Sequence, residues 1–179
     1  MIKSISINNK FNIDNEKIEK VVSLLPKEYM DLDVEIRIYG TLLSLLKIII
    51  NRKIPSIGFS DFIKIYLLKM LGSYSGAGTN IIEIYLFNIK ENKIQNLIFD
   101  LYHELHHKYQ SINMKEFYDN EYANYKIPKN IKDMDAYFEN KLEVDANNFA
   151  LKFYNDNKET IDKTFELDDD YEIVGTGQK

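Results

Sequence analysis

Ile94-Gln95-Asn96-Leu97-Ile98-Phe99-Asp100-Leu101-Tyr102-His103-Glu104-Leu105-His106-His107-Lys108-Tyr109 decides the reading of this chain. Ile94, Leu97, Ile98, Leu101 and Leu105 recur at three- and four-residue spacing, which predicts a helix over 93–109 with one aliphatic side. Turning each residue by about 100° sets that stripe nearly opposite His103 and His107. Both imidazoles therefore point away from the aliphatic side, flanked by Phe99, Tyr102 and Tyr109. All three histidines of the chain fall within this helix. His103-Glu104-x-x-His107 spells H-E-x-x-H, and residues i and i+4 stand one turn apart on the same face, so the two imidazoles can take two corners of a tetrahedral zinc site. Glu104, about 100° round from His103, can reach a metal-bound water without being a ligand. The pattern points to metal-assisted hydrolysis, most often of a peptide bond.

His106 is turned about 60° from His103 on the side away from His107, a poor third corner, and reads as a neighbour or a substrate-side residue. Asp100 lies one turn before His103 and is a candidate acceptor for the second ring proton of His103 or His107.

A catalytic zinc takes three protein ligands and leaves a position for water. With no cysteine and no further histidine, the third must be a carboxylate. Met134 to Tyr154 reads as one long helix with Phe138, Leu142, Phe149 and Phe153 on an apolar face. Beside it, Ala136, Glu139, Glu143, Ala146, Asn147 and Ala150 form a stripe of small and acidic residues. Small residues let two helix backbones approach, and a glutamate among alanines is what a metal held between them requires. Glu143 is the best candidate.

His103-Glu104-x-x-His107 followed by Glu143-Val144-Asp145-Ala146-Asn147-Asn148-Phe149-Ala150 resembles the gluzincin metallopeptidases, in particular the compact ImmA/IrrE-like group, whose second helix carries E-x-x-A-[ND]-x-F-A. The resemblance covers about 81–154. It implies that Glu143 is the third zinc ligand and that Asn147 sits where the wider pattern has a residue supporting a ligand histidine. Two departures stand out. Asp145 occupies a position where Glu or Gln is more usual, and Leu151-Lys152-Phe153-Tyr154 replaces the Leu-Leu-Met-Pro-like segment that often follows. Asp100, Asp145 and Asn147 are thus the candidates for holding the ligands in place.

Composition agrees with a small intracellular enzyme. A chain of 179 residues, 45% hydrophobic, can bury one core, which predicts a single domain over 1–165. Zero cysteines exclude disulfides and thiolate ligands and fit a reducing compartment. The first residues, Met1 to Ile7, lack the long apolar core of a signal peptide, so a cytoplasmic location is expected. A net charge of -5 and a pI near 5.3, with basic residues scattered singly, argue against a nucleic-acid partner.

Asp14 to Leu25 reads as a helix stopped by Pro26, with Ile18, Val21, Val22 and Leu25 on one face. Val34, Ile36 and Ile38 alternate with Glu35, Arg37 and Tyr39 as in a half-buried strand. Leu42 to Ile50 is apolar nearly all round but far short of the roughly 20 residues that span a bilayer, so it reads as a core helix and no membrane is expected. Ser60 caps a further helix bearing Phe62, Ile63, Tyr66, Leu67, Met70 and Leu71, ended by Gly72. Gly72 to Thr79 superficially resembles a phosphate loop. It lacks the Gly-Lys-Ser/Thr ending and precedes a strand, so it reads as a flexible turn. Ile82, Ile84 and Leu86 alternate with Glu83, Tyr85 and Phe87 in a strand before the motif helix. The resemblance implies that this strand lies near a sheet edge and can take an extended substrate by strand addition. Phe117, Tyr118, Tyr122 and Tyr125 either pack on the core or line a groove, and one tyrosine is a candidate donor to the oxyanion. The acidic and polar stretch 166–179 is expected to be a flexible tail.

The expectation is therefore an α+β zincin-like domain, a small twisted sheet packed on helices, with zinc held between the motif helix and the glutamate helix. Its function would be peptide-bond hydrolysis by metal-activated water with Glu104 as general base, on a protein or peptide substrate. The competing readings are a non-catalytic, metal-stabilised binding or regulatory module of the same fold, and a metal-free helical domain. Neither the substrate nor the oligomeric state is legible.

Overall fold

The structure, a computed structural model, describes residues 2–8, 13–43, 45–46, 65–66, 72–74, 80–89, 94–126, 134–167 and 173. It has mixed helix and sheet content. Strands β1 (Ile2–Asn8), β2 (Val34–Tyr39), β3 (Gly72–Tyr74) and β4 (Ile81–Ile84) form one sheet in the order β1-β2-β4-β3. β1, β2 and β4 run parallel, and β3 pairs antiparallel with β4. Helices α1 (Asn15–Val22) and α2 (Lys27–Met30) fall between β1 and β2, supplying the crossover that a parallel pair needs. After the sheet come α3 (Ile94–Asn113), α4 (Lys115–Tyr122), α5 (Met134–Phe138), α6 (Lys141–Asp156) and α7 (Lys158–Phe165).

Asp14 starts α1 by accepting the Glu16 N–H at 2.9 Å, satisfying one of the free amides of the first turn. Ile18, Val21 and Val22 of α1 then pack on one sheet face, with Val34, Ile36 and Ile38 of β2 and Ile82 and Ile84 of β4. Leu97, Ile98, Leu101 and Leu105 of α3 complete this core, each fully buried. Burying side chains of this size contributes roughly 1.5–3 kcal/mol apiece, which fixes the rotation of α3 about its axis. The aliphatic stripe read from the sequence is thus the face that sets where the histidines point.

The stretch from 82 to 87 behaves differently from the expected alternating strand. β4 ends at Ile84, and Leu86–Asn88 forms a 3-10 turn. Glu83 and Tyr85, which alternate with the aliphatic residues, are buried as well, and the Glu83 carboxylate accepts hydrogen bonds from the hydroxyls of Tyr39 and Tyr85, each at 3.0 Å. Nor does β4 offer a free edge, since β2 and β3 pair with it on either side. The edge belongs to β3, whose Gly72 to Tyr74 had read as a helix end and a turn. Of the core helix expected over 42–50, Leu45 is buried but Leu43 is two-thirds exposed. Most of that helix, most of the one expected after Ser60, and Ser75 to Thr79 lie outside the described residues.

The single long helix expected over 134–154 is two helices. Asn140 breaks it by leaving helical dihedrals at φ -60°, ψ 132°. Its side chain accepts the Lys126 N–H at 3.1 Å and donates to the carbonyls of Lys126 at 3.2 Å and Tyr137 at 2.8 Å. Asn140 therefore ties the 126 segment to the start of α6. Glu143 becomes the third residue of a new helix, where free amides and the helix dipole favour a carboxylate.

In the C-terminal segment expected to be a free tail, Ile173 is buried against the core. An apolar side chain supplies there an anchor that the acidic neighbours do not.

Candidate metal centre

α3 and α6 lie against one another, with Ala146 and Ala150 fully buried. Small side chains there let Glu143 reach the motif helix. His103 Nε2 and His107 Nε2 are 3.0 Å apart. Glu143 Oε2 lies 3.3 Å from His103 Nε2, and Glu143 Oε1 lies 3.2 Å from His107 Nε2. Ligand atoms about 2.0–2.2 Å from a tetrahedral zinc would be about 3.3–3.5 Å from one another. The two imidazole nitrogens and the carboxylate, which turns one oxygen to each ring, are close to that spacing, and the His103, His107 and Glu143 group is able to hold a metal ion.

Electrostatics point the same way. Burial alone would raise the Glu143 carboxyl, yet the His107 and His103 imidazoles hold it well below the usual range. Burial alone would lower His107, but the charge and hydrogen bond of Glu143 and the charge of Glu104 override it, lifting the imidazole to about 9. The cluster concentrates electron pairs and calls for a cation, whether a proton or a metal.

A stability prediction follows from these signs. His107 has a raised pKa in the folded chain, so without metal its contribution is complete below about pH 6.5 and is lost as pH rises through about 9. Glu143 has a depressed pKa, so its contribution holds above the ordinary glutamate value and is lost only on acidification. Metal-stripped protein should lose on the order of 3 kcal/mol of stability between pH 6.5 and 9.5. A metal ion replaces the proton, so loaded protein should show little of this loss. Urea melts at the two pH values, with and without chelator, read the effect directly; equal stability of the stripped protein at both would contradict it.

Glu104 is buried beside the trio without belonging to it, and its charge acts on His107, Tyr137 and Asp100. Asp100 does not take the expected part. The inner nitrogen of His103, Nδ1, has no hydrogen-bond partner, and neither has Asp100 Oδ2. Burial first, and the neighbouring Glu104 second, push the Asp100 carboxyl well above the usual range. Asn147 is half-buried on α6.

The inner nitrogen of His107 faces Gln110, with Nδ1 to Oε1 at 2.9 Å. Gln110 lies three residues on, and i+3 on one helix face was a readable signal that the motif overshadowed. Asp145 reaches this network rather than the trio. Its Oδ2 is 2.8 Å from Gln110 Nε2 and 2.8 Å from His106 Nε2, and the His106 bond, opposed by burial, holds its carboxyl below the usual value. His106 is an interior residue, not a substrate-side one. It stacks on Phe149 at a centroid distance of 4.4 Å, and its Nδ1 is 2.7 Å from the Tyr29 hydroxyl.

Two tyrosines cover the other side of Glu143. The Tyr125 hydroxyl donates to Glu143 Oε1. Tyr137 packs edge-on against Tyr125, and its phenol lies within reach of the Glu143 and Glu104 charges. Burial, and then the Glu143 charge, push both phenols up, so each keeps its proton. Tyr118, Tyr122 and Tyr125 stack in a row along α4 and the turn after it, and Tyr122 is half exposed. Tyr125 was among the aromatics singled out in sequence, whereas Tyr137 was hidden in a helix expected to run on unbroken.

Compared with known proteins, the chain matches no family model, no curated protein and no solved structure. Among the described residues, no helix is long and apolar enough to cross a membrane.

Proposed function

We propose that this chain is a zinc-dependent peptidase of the HExxH-plus-glutamate kind, with a zincin-like, ImmA/IrrE-like domain acting on protein or peptide substrates. The observation that carries the reading is the meeting of His103, His107 and Glu143 within 3.0–3.3 Å, with a further buried carboxylate, Glu104, beside them. His103, His107 and Glu143 would hold the ion. Zinc bound there supplies a Lewis acid for the scissile carbonyl and a water whose pKa falls to about 7. Glu104 takes a proton from the attacking water and hands it to the leaving amine, so that water and amide become carboxylate and amine. Tyr137, which keeps its proton between the charges of Glu143 and Glu104, is our candidate donor to the oxygen on which negative charge would develop. Tyr125 holds the Glu143 carboxylate in position.

A structural zinc site is closed by four protein ligands, and it has no use for a buried base next to three. That favours turnover over the metal-stabilised binding module. The test is cleavage of a mixed peptide library by protein purified without chelator. Cleavage should stop on chelation and return with one equivalent of zinc. Cleavage indifferent to chelator would contradict the reading, and a zinc-loaded chain that cuts nothing would favour the binding module.

A further inference from the structure

His107 can give its Nε2 lone pair to a metal only if its proton sits on Nδ1, and neutral imidazole offers both tautomers. Something in the fold must choose. The neighbour of Nδ1 is Gln110, whose amide can present either oxygen or nitrogen, so the choice passes to whatever orients that amide. Two acceptors do so. One Gln110 Nε2 proton goes to the Leu142 carbonyl at 3.1 Å and the other to Asp145 Oδ2 at 2.8 Å. With both amide protons committed, Oε1 is left facing His107, which must then carry its proton on Nδ1.

Asp145 is held in turn. It is a pure acceptor when ionised, so His106 donates to it from Nε2 at 2.8 Å, leaving His106 Nδ1 to accept the Tyr29 hydroxyl at 2.7 Å. Every bond in the series runs in one consistent direction, from Tyr29 on α2 through His106 to Asp145 on α6, and from His107 and Gln110 on α3 towards the same carboxylate. The stacking of His106 on Phe149 at 4.4 Å fixes the ring plane that aims its Nε2.

We propose that Gln110 is a positioning residue that sets the His107 tautomer for metal binding, and that Asp145, anchored by His106 and Tyr29, sets the direction of the Gln110 amide. This rests on the reading of His103, His107 and Glu143 as a metal site. It gives the third histidine of the H-E-x-H-H run a role remote from the metal. It also gives Asp145 a role that a longer side chain in its place would have to reach from a different position.

The test swaps the polarity of the central bond. Gln110→Leu removes the acceptor for His107 and should weaken zinc binding 10- to 100-fold, measured by competition with a chromophoric chelator. Gln110→Glu alone sets two carboxylates against each other and should also bind poorly. Gln110→Glu combined with Asp145→Asn restores the donor-acceptor pairing between positions 110 and 145 and keeps an acceptor on His107, while the Leu142 carbonyl stays without its donor, so the double variant should regain at least about tenfold of the affinity lost in Gln110→Glu. A residue that merely filled space would show no such rescue. Zinc affinity within threefold of wild type in Gln110→Leu, or a double variant no better than Gln110→Glu, would overturn the proposal. If wild type itself bound no zinc, the metal reading would fail separately. The histidine nitrogen spectrum of metal-free protein at pH 10 would then decide the rest: a proton on His107 Nδ1 supports the positioning network, and one on Nε2 overturns it.

Discussion

Glu104→Gln should keep the zinc and the fold while cutting peptide turnover by a factor on the order of 100 or more, about 3 kcal/mol of barrier. The substitution is nearly isosteric and removes no ligand, since Glu104 stands outside the His103, His107 and Glu143 group. It removes only the carboxylate that can accept and return a proton. The charge that Glu104 exerts on His107 also disappears, so a small change in metal affinity is expected in the same variant. Turnover is measured on a peptide that the wild type cuts, with metal content measured in parallel. Unchanged turnover would remove Glu104 from the mechanism and leave the metal site standing.

Glu143→Ala should release the metal. One of three proposed ligands is lost together with the carboxylate that faces both imidazoles, so affinity should fall by a factor on the order of 1000, about 4 kcal/mol. Two further consequences follow from the geometry. The Tyr125 hydroxyl loses its acceptor, and His107 loses the largest of the interactions that raise its pKa. Metal-free Glu143→Ala should therefore show much less of the stability loss between pH 6.5 and 9.5 expected of the stripped wild type. Full zinc in Glu143→Ala with loss in Asp145→Ala would transfer the ligand to Asp145, against a structure in which Asp145 bonds His106 and Gln110.

What could be read from the sequence is what periodicity and ligand spacing encode. The aliphatic stripe of α3 sets the rotation of that helix, so the direction of His103 and His107 was legible from Leu97, Leu101 and Leu105 alone. Glu143 was legible because it sits among alanines that the structure buries against α3. The break at Asn140 was not, because nothing local forbids helix there. It arises from hydrogen bonds to the backbone of Lys126, a partner fourteen residues away in sequence. Tyr137 was missed for the same reason. The burial of Glu83 and Tyr85 was not legible, because a buried carboxylate satisfied by two tyrosines looks, in sequence, like an exposed one. Asp100 was given a role by its spacing from His103. Spacing alone could not show that Gln110, three residues beyond His107, is the acceptor that His107 meets.

The central claim is that His103, His107 and Glu143 form a metal site, and the most direct measurement is the metal content of wild-type protein purified without chelator or nickel resin. The account predicts about one zinc per chain by elemental analysis, retained through gel filtration and displaced by acidification as His107 takes up a proton. Metal-free protein that stays folded and fails to take up zinc on addition of one equivalent would contradict it.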